Sequence, residues 1–547
     1  MSQVEGVAWI RPPEPIRGLD HLGVQGPCTA LYAQLLPGIT NVTDRARYYS
    51  FHPWVIWSFE QRYKDHSLDE FRRVLRRAEC LFALVAIRHA RASGDSDEGR
   101  HGSGMVGRFE LLRIPDAAET IALDEYAGLE GPKRYFKNKL GGLGQYYFGP
   151  LRDLRIIDQS PEGPTYPPAY DRVRGRELAE AFGGGVPQDA FFRAIEAPTL
   201  EWPDLDELAL FCPCGLRENP SEHKLLLDVF LARPDAFRAE GGEARRASLG
   251  LFLDLASRNV GHADYTFEGL LRGAGYSGAL PDGSAWDVDE KLRRAQRGWG
   301  TYQRNELLSL AVQGFFAAVL RLIERDRKSV LRRAADAADV GTDLASAAFG
   351  PWLSRPLTAV VEEVRSTLPR LGDWQTPEHE LQRGWELQQL GLDDEHLETG
   401  AEKSLQILLA LLARGVDEYP YADFQLDPEY FDPREIHLLS LRHASRTEWT
   451  GMTVGDWVRW ISVHWGVERH LRVALRKLRG ERRDTFRIRP LEGELRVVEA
   501  PAPTYTIPRV GRTIQILRDV GLIDFNDEQM VVITELGQRE LEAIRGR

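Results

Sequence analysis

Several groups of residues in this 547-residue sequence have the types and spacing to do chemistry. Pro203-Asp204 followed by Glu222-His223-Lys224 fits the pattern Pro-Asp…Glu-x-Lys. In that pattern two carboxylates hold Mg²⁺ while the lysine orients a water for phosphodiester hydrolysis. The chemistry needs Glu222 and Lys224 on a strand. Asn219-Pro220-Ser221-Glu222 instead reads as a helix start, with Asn219 as N-cap, Pro220 in the first turn and Glu222 closing a capping box. Leu225, Leu226, Val229 and Phe230 continue at helical spacing, so a Mg-dependent nuclease on Asp204, Glu222 and Lys224 is the alternative rather than the expectation. Cys212-Pro213-Cys214 with His223 offers three soft ligands, but Cys-x-Cys is not a common structural zinc spacing and no fourth ligand is near in sequence. Buried thiols without metal are expected there. The glycine clusters Gly141-Gly142-Leu143-Gly144 and Gly183-Gly184-Gly185 lack the lysine and strand context of a phosphate cradle. His464 and His470 do not share a helix face, and Asp393-Asp394-Glu395 with Glu398 reads as a solvated helix end. The expectation is no catalytic residue, no metal and no cofactor.

The elements that would position such groups are most legible near the C-terminus. Val467, Leu471, Ala474, Leu475 and Leu478 lie on one side of a helix within Trp457 to Leu478. At about 100° per residue, Arg469, Arg472, Arg476 and Arg479 form a second stripe about 80° wide, with Lys477 in the same segment. Arg482, Arg483, Arg487 and Arg489 follow, the last two in the alternating, strand-like run Thr485 to Pro490. A Glu492-Gly493-Glu494 turn leads to a return strand at Leu495 to Val498. After the hinge Ala500 to Pro508, a helix carrying Arg509, Val510, Arg512, Ile514 and Leu517 is stopped by Gly521. Leu522-Ile523, a polar turn, Met530 to Ile533 and a helix capped by Thr534 complete the order of a winged-helix domain. If these basic side chains meet phosphates, binding is steeply salt-dependent. The plainer alternative is protein contact, with the arginines paired inside their own acidic chain.

Near the N-terminus, Leu31 to Gly38 reads as a helix ended by Pro37-Gly38. A Thr43 N-cap and a break at Pro53 predict short helices around Asp44-Arg45-Ala46-Arg47-Tyr48-Tyr49. Arg45 and Arg47, with Tyr48 and Trp54, could line a pocket for an anion or a base. The plainer alternative has the two arginines tying an aromatic core together through carbonyls and carboxylates. The run LLPGITNVTDRARYYSFHPWVIW resembles the start of uncharacterised bacterial families of anti-phage defence islands, found beside ATPases, helicases or nucleases. The resemblance covers about thirty residues. It implies a context of ATPases, helicases and nucleases and gives no catalytic residues to carry over; the expected partners are an SMC-like or helicase ATPase, or a nuclease.

Composition frames the rest. The net charge of −12 argues against a wholly nucleic-acid-coating surface, and 43% hydrophobic residues fit a folded chain of several domains. The opening Met1 to Gly6 has no secretory character, no apolar run is long enough to span a bilayer, and four cysteines fit reduced thiols. A cytoplasmic protein without membrane contact is expected. Apolar positions from Leu307 to Leu322 and from Leu68 to His89 recur at helical spacing, the second with arginines on its outer face. Arg91 to Gly104 reads as a mobile loop and the four-proline stretch Ser160 to Tyr170 as a linker. The expected architecture is a mostly α, multi-domain helical body with a C-terminal winged-helix (α+β) domain, divided as 1–160, 161–440 and 441–547. The expected function is a non-enzymatic DNA-binding or scaffolding subunit of a bacterial anti-phage defence complex. A nuclease effector, or a sensor using the N-terminal motif, is the alternative.

Overall fold

The computed structural model describes residues 20–94, 99–115, 120–233, 241–258, 265–390, 395–415, 435–481 and 484–546. Helix makes up 62% of the chain and the strands form only small antiparallel sheets, so the mostly helical class stands. Two compact units share the chain discontinuously. One takes the described residues of Met1–Leu31, Arg272–Asp287 and Arg297–Thr506; the other takes those of Tyr32–Leu271, Val288–Gln296 and Ile507–Arg547.

In the first unit, the greater part of helix Glu290–Asp326 forms the core, with Leu307, Leu310, Phe315, Val319 and Ile323 fully or nearly buried. This helix is long and apolar enough to cross a bilayer, contrary to the sequence reading, but 94% of its apolar window is buried in protein. Helix Leu397–Arg414 packs beside helices Leu357–Thr367 and Glu380–Gln389. Helix Val454–Trp460 opens with a true capping box, Thr453 with Asp456, and passes through a π-helical turn, Ile461–Val467, into helix Glu468–Glu481. The predicted hairpin forms as Ile488–Leu491 and Glu494–Val497, turning at Glu492-Gly493 with φ of 53° and 84°. Its second strand also pairs with Val330–Leu331, giving a three-stranded antiparallel sheet.

In the second unit, helix Tyr48–Arg62 packs on helix Arg174–Gly184 and buries Phe51, Trp54 and Val55 completely. Two expectations fail here. The helix continues through Pro53, its sixth residue, giving up the one backbone bond that Pro53 cannot donate, within the buried run Tyr48 to Ile56. Thr43 is no N-cap: its hydroxyl is spent on Thr40 N–H (2.8 Å) and Thr40 C=O (3.2 Å). Ser160 to Tyr170 lies within this unit, and its end, Ala169–Tyr170, pairs with Ile157–Asp158.

Helix Leu68–Ser93 corrects in part the expectation of arginines on its outer face: Arg72, Arg73 and Arg88 are partly exposed, Arg76 and Arg77 are not. Arg76 and Arg77 are 1% and 4% exposed. Arg76 donates to the carbonyls of Ala127, Gly128, Phe136 and Asn138, and Arg77 to those of Ile195 and Ala197. Arg245 does the same for Val229 and Phe230, at the end of helix Pro220–Phe230, and for Pro37. The glycine cluster at 141–144 proves to be an anion cradle for the chain's own Glu79. Gly142 N–H and Leu143 N–H donate to its carboxylate at 2.7 and 2.8 Å, beside Tyr135 Oη and His52 Nε2.

The last residues form helix Val510–Asp519, Gly521 at φ +72°, an antiparallel pair Ile523–Phe525 and Val531–Ile533, and helix Glu535–Arg545 capped by Thr534. These elements follow the order read from the sequence. The single module from Thr485 does not form as one body, because the division between the units falls at Thr506/Ile507.

Candidate functional site

The basic helix separates its cations into two groups. Arg469 Nε donates to Leu22 C=O (2.7 Å) and Lys477 Nζ to Asp20 C=O. Both bind the loop whose Asp20 carboxylate takes the N–H groups of Gly23, Val24, Gln25 and Gly26 at the start of helix Gly26–Leu35. Burial pushes the Arg469 guanidinium down to about 10. Arg487 is buried and pairs with Glu499, and Arg489 pairs with Asp484. In the second unit Arg509 donates to Leu36 C=O over the Tyr32 ring, and Arg512 pairs with Asp44. Arg482 and Arg483, like Asp393 and Asp394, lie outside the described residues. Arg472, Arg476 and Arg479 remain exposed, without a carboxylate partner among the described residues.

The apolar stripe assigned to this helix is also corrected. Leu475 and Leu478 are 42% and 40% exposed, and the buried face is Val467, His470, Val473 and Ala474. His470 joins the buried face although its side chain is polar. His470 is a core residue, with Nδ1 donating to His21 C=O (2.9 Å) and Nε2 accepting from Arg487 N–H (2.8 Å). A proton on Nε2 would face that donor. Burial, then the nearby His21, holds its pKa down at about 3.

Since this folded value lies below the unfolded one of about 6.5, the unfolded chain binds more protons between the two. Stability from this group is full above about pH 6.5 and falls with pH toward 3, by about 1.4 kcal/mol per unit. Urea midpoints of the wild type and His470→Gln test this. The variant is weaker at pH 7 but loses about 2 kcal/mol less between pH 7 and 5. Equal losses would show that the ring is not held neutral.

The N-terminal motif arginines are fully buried. Arg45 grips Asp519 through Nε (3.0 Å) and Nη2 (2.9 Å) and donates to the carbonyls of Arg100, His101 and Ser103. Arg47 grips Glu222 through Nε (3.2 Å) and Nη2 (3.0 Å) and donates to Leu210 and Cys212 C=O. Tyr48 Oη accepts Val106 N–H, and Trp54 Nε1 donates to Gln188 Oε1. Each donor faces protein, which is the tying role.

The nuclease candidates are not brought into a site. Asn219 does cap helix Pro220–Phe230, but the Glu222 carboxylate is held by Arg47, Ser50 and Asn219 and closes no capping box. Asp204 binds Glu201 N–H in a 3₁₀ turn, Trp202–Phe211, and Lys224 is exposed on the helix, two residues from Glu222 and so on a different face.

Four other side chains do converge. One ligand atom from each of His89, His101, Cys212 and Cys214 lies within 4.8 Å of the other three. His101 Nδ1 is 3.3 Å from Cys212 Sγ and His89 Nδ1 is 3.4 Å from Cys214 Sγ, with the imidazoles edge to face at 5.0 Å. Burial raises the Cys212 thiol, while the hydrogen bond from Cys212 draws the Cys214 thiol down. Sequence reasoning missed this group for two reasons. His101 is 111 residues from Cys212 and sits in a stretch that reads as a mobile loop, although it is only 5% exposed. His223, the histidine weighed with the cysteines, bonds Val520 C=O (2.9 Å) instead. The Cys-x-Cys turn was the available signal.

No family model, no curated protein and no solved structure matches this chain.

Proposed function

We propose that this chain is a non-enzymatic, nucleic-acid-binding scaffold subunit whose contact surface is the outer face of helix Glu468–Glu481. The observation that carries the reading is the set of three exposed guanidiniums, Arg472, Arg476 and Arg479, on one helix face without a carboxylate partner among the described residues. At about 100° per residue they lie within an arc of about 60°, and from first to last they span about 10 Å along the axis. That length matches the rise of about three phosphates of one strand measured along the duplex axis. The exposed Leu475 and Leu478 lie beside this arc, in the other stripe of the helix, and suit contact with a protein subunit.

The finer reading of Val510–Arg545 as part of a winged helix belongs to this proposal and rests on element order. Its wing tip carries exposed Asp527 and Glu528, which favours protein over phosphate as its neighbour. The N-terminal resemblance supports a cytoplasmic defence complex in which an SMC-like or helicase ATPase, or a nuclease, is the protein partner. The sequence contains no P-loop, so ATP hydrolysis of that type would fall to the partner.

The test uses the full chain and a labelled DNA duplex at low salt. Binding without cleavage in Mg²⁺, lost in the triple variant Arg472→Glu/Arg476→Glu/Arg479→Glu, is the expected result. Binding unchanged in that variant would refute the assignment.

A further inference from the structure

We propose that His89, His101, Cys212 and Cys214 form a structural zinc site, a function distinct from the nucleic-acid contact and independent of it. The donor set is Cys₂His₂, which suits Zn²⁺ by ligand softness and count. A tetrahedral ion with bonds of about 2.0–2.1 Å to nitrogen and about 2.3 Å to sulfur puts its ligand atoms about 3.4–3.8 Å apart. The two nitrogen–sulfur edges of 3.3 and 3.4 Å already stand near that spacing, and all four ligand atoms fall within 4.8 Å. Little rearrangement is needed to close the tetrahedron. Four protein ligands leave no open coordination position, so the role is structural rather than catalytic.

The fold fixes the backbone that carries these ligands. His89 is in the last turns of helix Leu68–Ser93, and Cys212 and Cys214 flank the start of the 3₁₀ helix Pro213–Glu218. Arg45 Nη1 donates to His101 C=O and Arg47 Nη1 to Cys212 C=O, so the two motif arginines each hold the main chain of one ligand. Gly215 allows the close approach, since a Cβ there would lie 2.9 Å from Arg47 Nη1 and 2.7 Å from Leu210 C=O. The motif Arg45-Ala46-Arg47 therefore acts as a positioning clamp for the metal loops.

On binding, each thiol releases one proton to solvent and two Zn–S bonds form, while the neutral imidazoles each supply a lone pair. Two thiolates then balance the charge of the ion. The ion would staple the Gly-rich loop at 99–104 to the end of helix Leu68–Ser93 and to the Cys-Pro-Cys turn.

The full-length chain, purified under reducing conditions without chelator, is expected to hold about one zinc per chain by elemental analysis. After chelation, Co²⁺ alone should restore a tetrahedral visible spectrum with sulfur-to-cobalt charge transfer. Cys214→Ser and His89→Gln alter the two half-buried ligands and so spare the core. Each should weaken zinc retention beyond the 10–100-fold typical of outer-shell changes. Chain without zinc that also gives no tetrahedral Co²⁺ spectrum would overturn the proposal. So would rapid alkylation of Cys214 in the untreated protein, which marks a free nucleophilic thiol.

Discussion

Arg47→Met lowers the stability of the second unit by about 3–5 kcal/mol, the range for removing one partner of a buried ion pair. Both side chains of the pair with Glu222 have zero exposure, so the abandoned carboxylate would have to ionise without a counter-charge or take up a proton. Ser50 Oγ, 2.6 Å away, and Asn219 Nδ2, 3.2 Å away, soften that loss but supply no positive charge. The variant also removes the Arg47 donor from the carbonyls of Leu210 and Cys212, of which Cys212 C=O keeps the Gly215 N–H at 2.9 Å. Removing both partners should behave differently. Arg47→Met/Glu222→Leu eliminates the unpaired charge and should regain part of the loss, with a deficit of about 1–3 kcal/mol for each orphan carbonyl that finds no water. Urea midpoints measure this, each resolved transition being fitted by itself because two units need not unfold together. A loss below about 1 kcal/mol in the single variant would mean that the pair is hydrated and not the internal tie described.

Reversing three charges has the second large effect. With Arg472, Arg476 and Arg479 each meeting a phosphate, duplex affinity should fall about 40-fold between 50 and 200 mM salt. The triple glutamate variant removes these contacts and adds three repulsions, so duplex binding at 50 mM salt should drop by more than that factor. Its stability should change little beside its affinity, since Arg472 and Arg476 are exposed and Arg479→Glu, in the last turn of the helix, costs about 0.3–1 kcal/mol against the helix dipole. Lys477→Ala gives the opposite pattern. Its ammonium binds Asp20 C=O, so stability should fall while the salt dependence of binding stays unchanged. A triple variant with the affinity of the wild type would place nucleic acid elsewhere on the chain, or nowhere.

The elements with strong local signals were legible. The Gly521 stop, the Thr534 cap, the Glu492-Gly493 turn and the Asn219 cap are each set by a few adjacent residues. What local pattern could not supply was the destination of the arginines. A stripe of guanidiniums looks the same in sequence whether it meets solvent or collects main-chain carbonyls. Arg76 and Arg77 read as an outer face, yet they bind six carbonyls between them, at helix ends and loops far along the chain. In a fold of short helices such orphan carbonyls are many, and one fork of donors satisfies several at once. His470 and the His/Cys cluster were hidden for a related reason. Their partners, His21, Arg487 and the residues across the Cys-Pro-Cys turn, are set by tertiary packing and leave no periodic trace.

The slope of log affinity against log salt for the wild-type chain on a duplex bears most directly on the functional reading. Three phosphate contacts predict a slope of about −2.7, and about −4.5 if Arg482 and Arg483 add two more. A slope near zero, or no binding at 50 mM salt, would contradict a nucleic-acid role for this helix face.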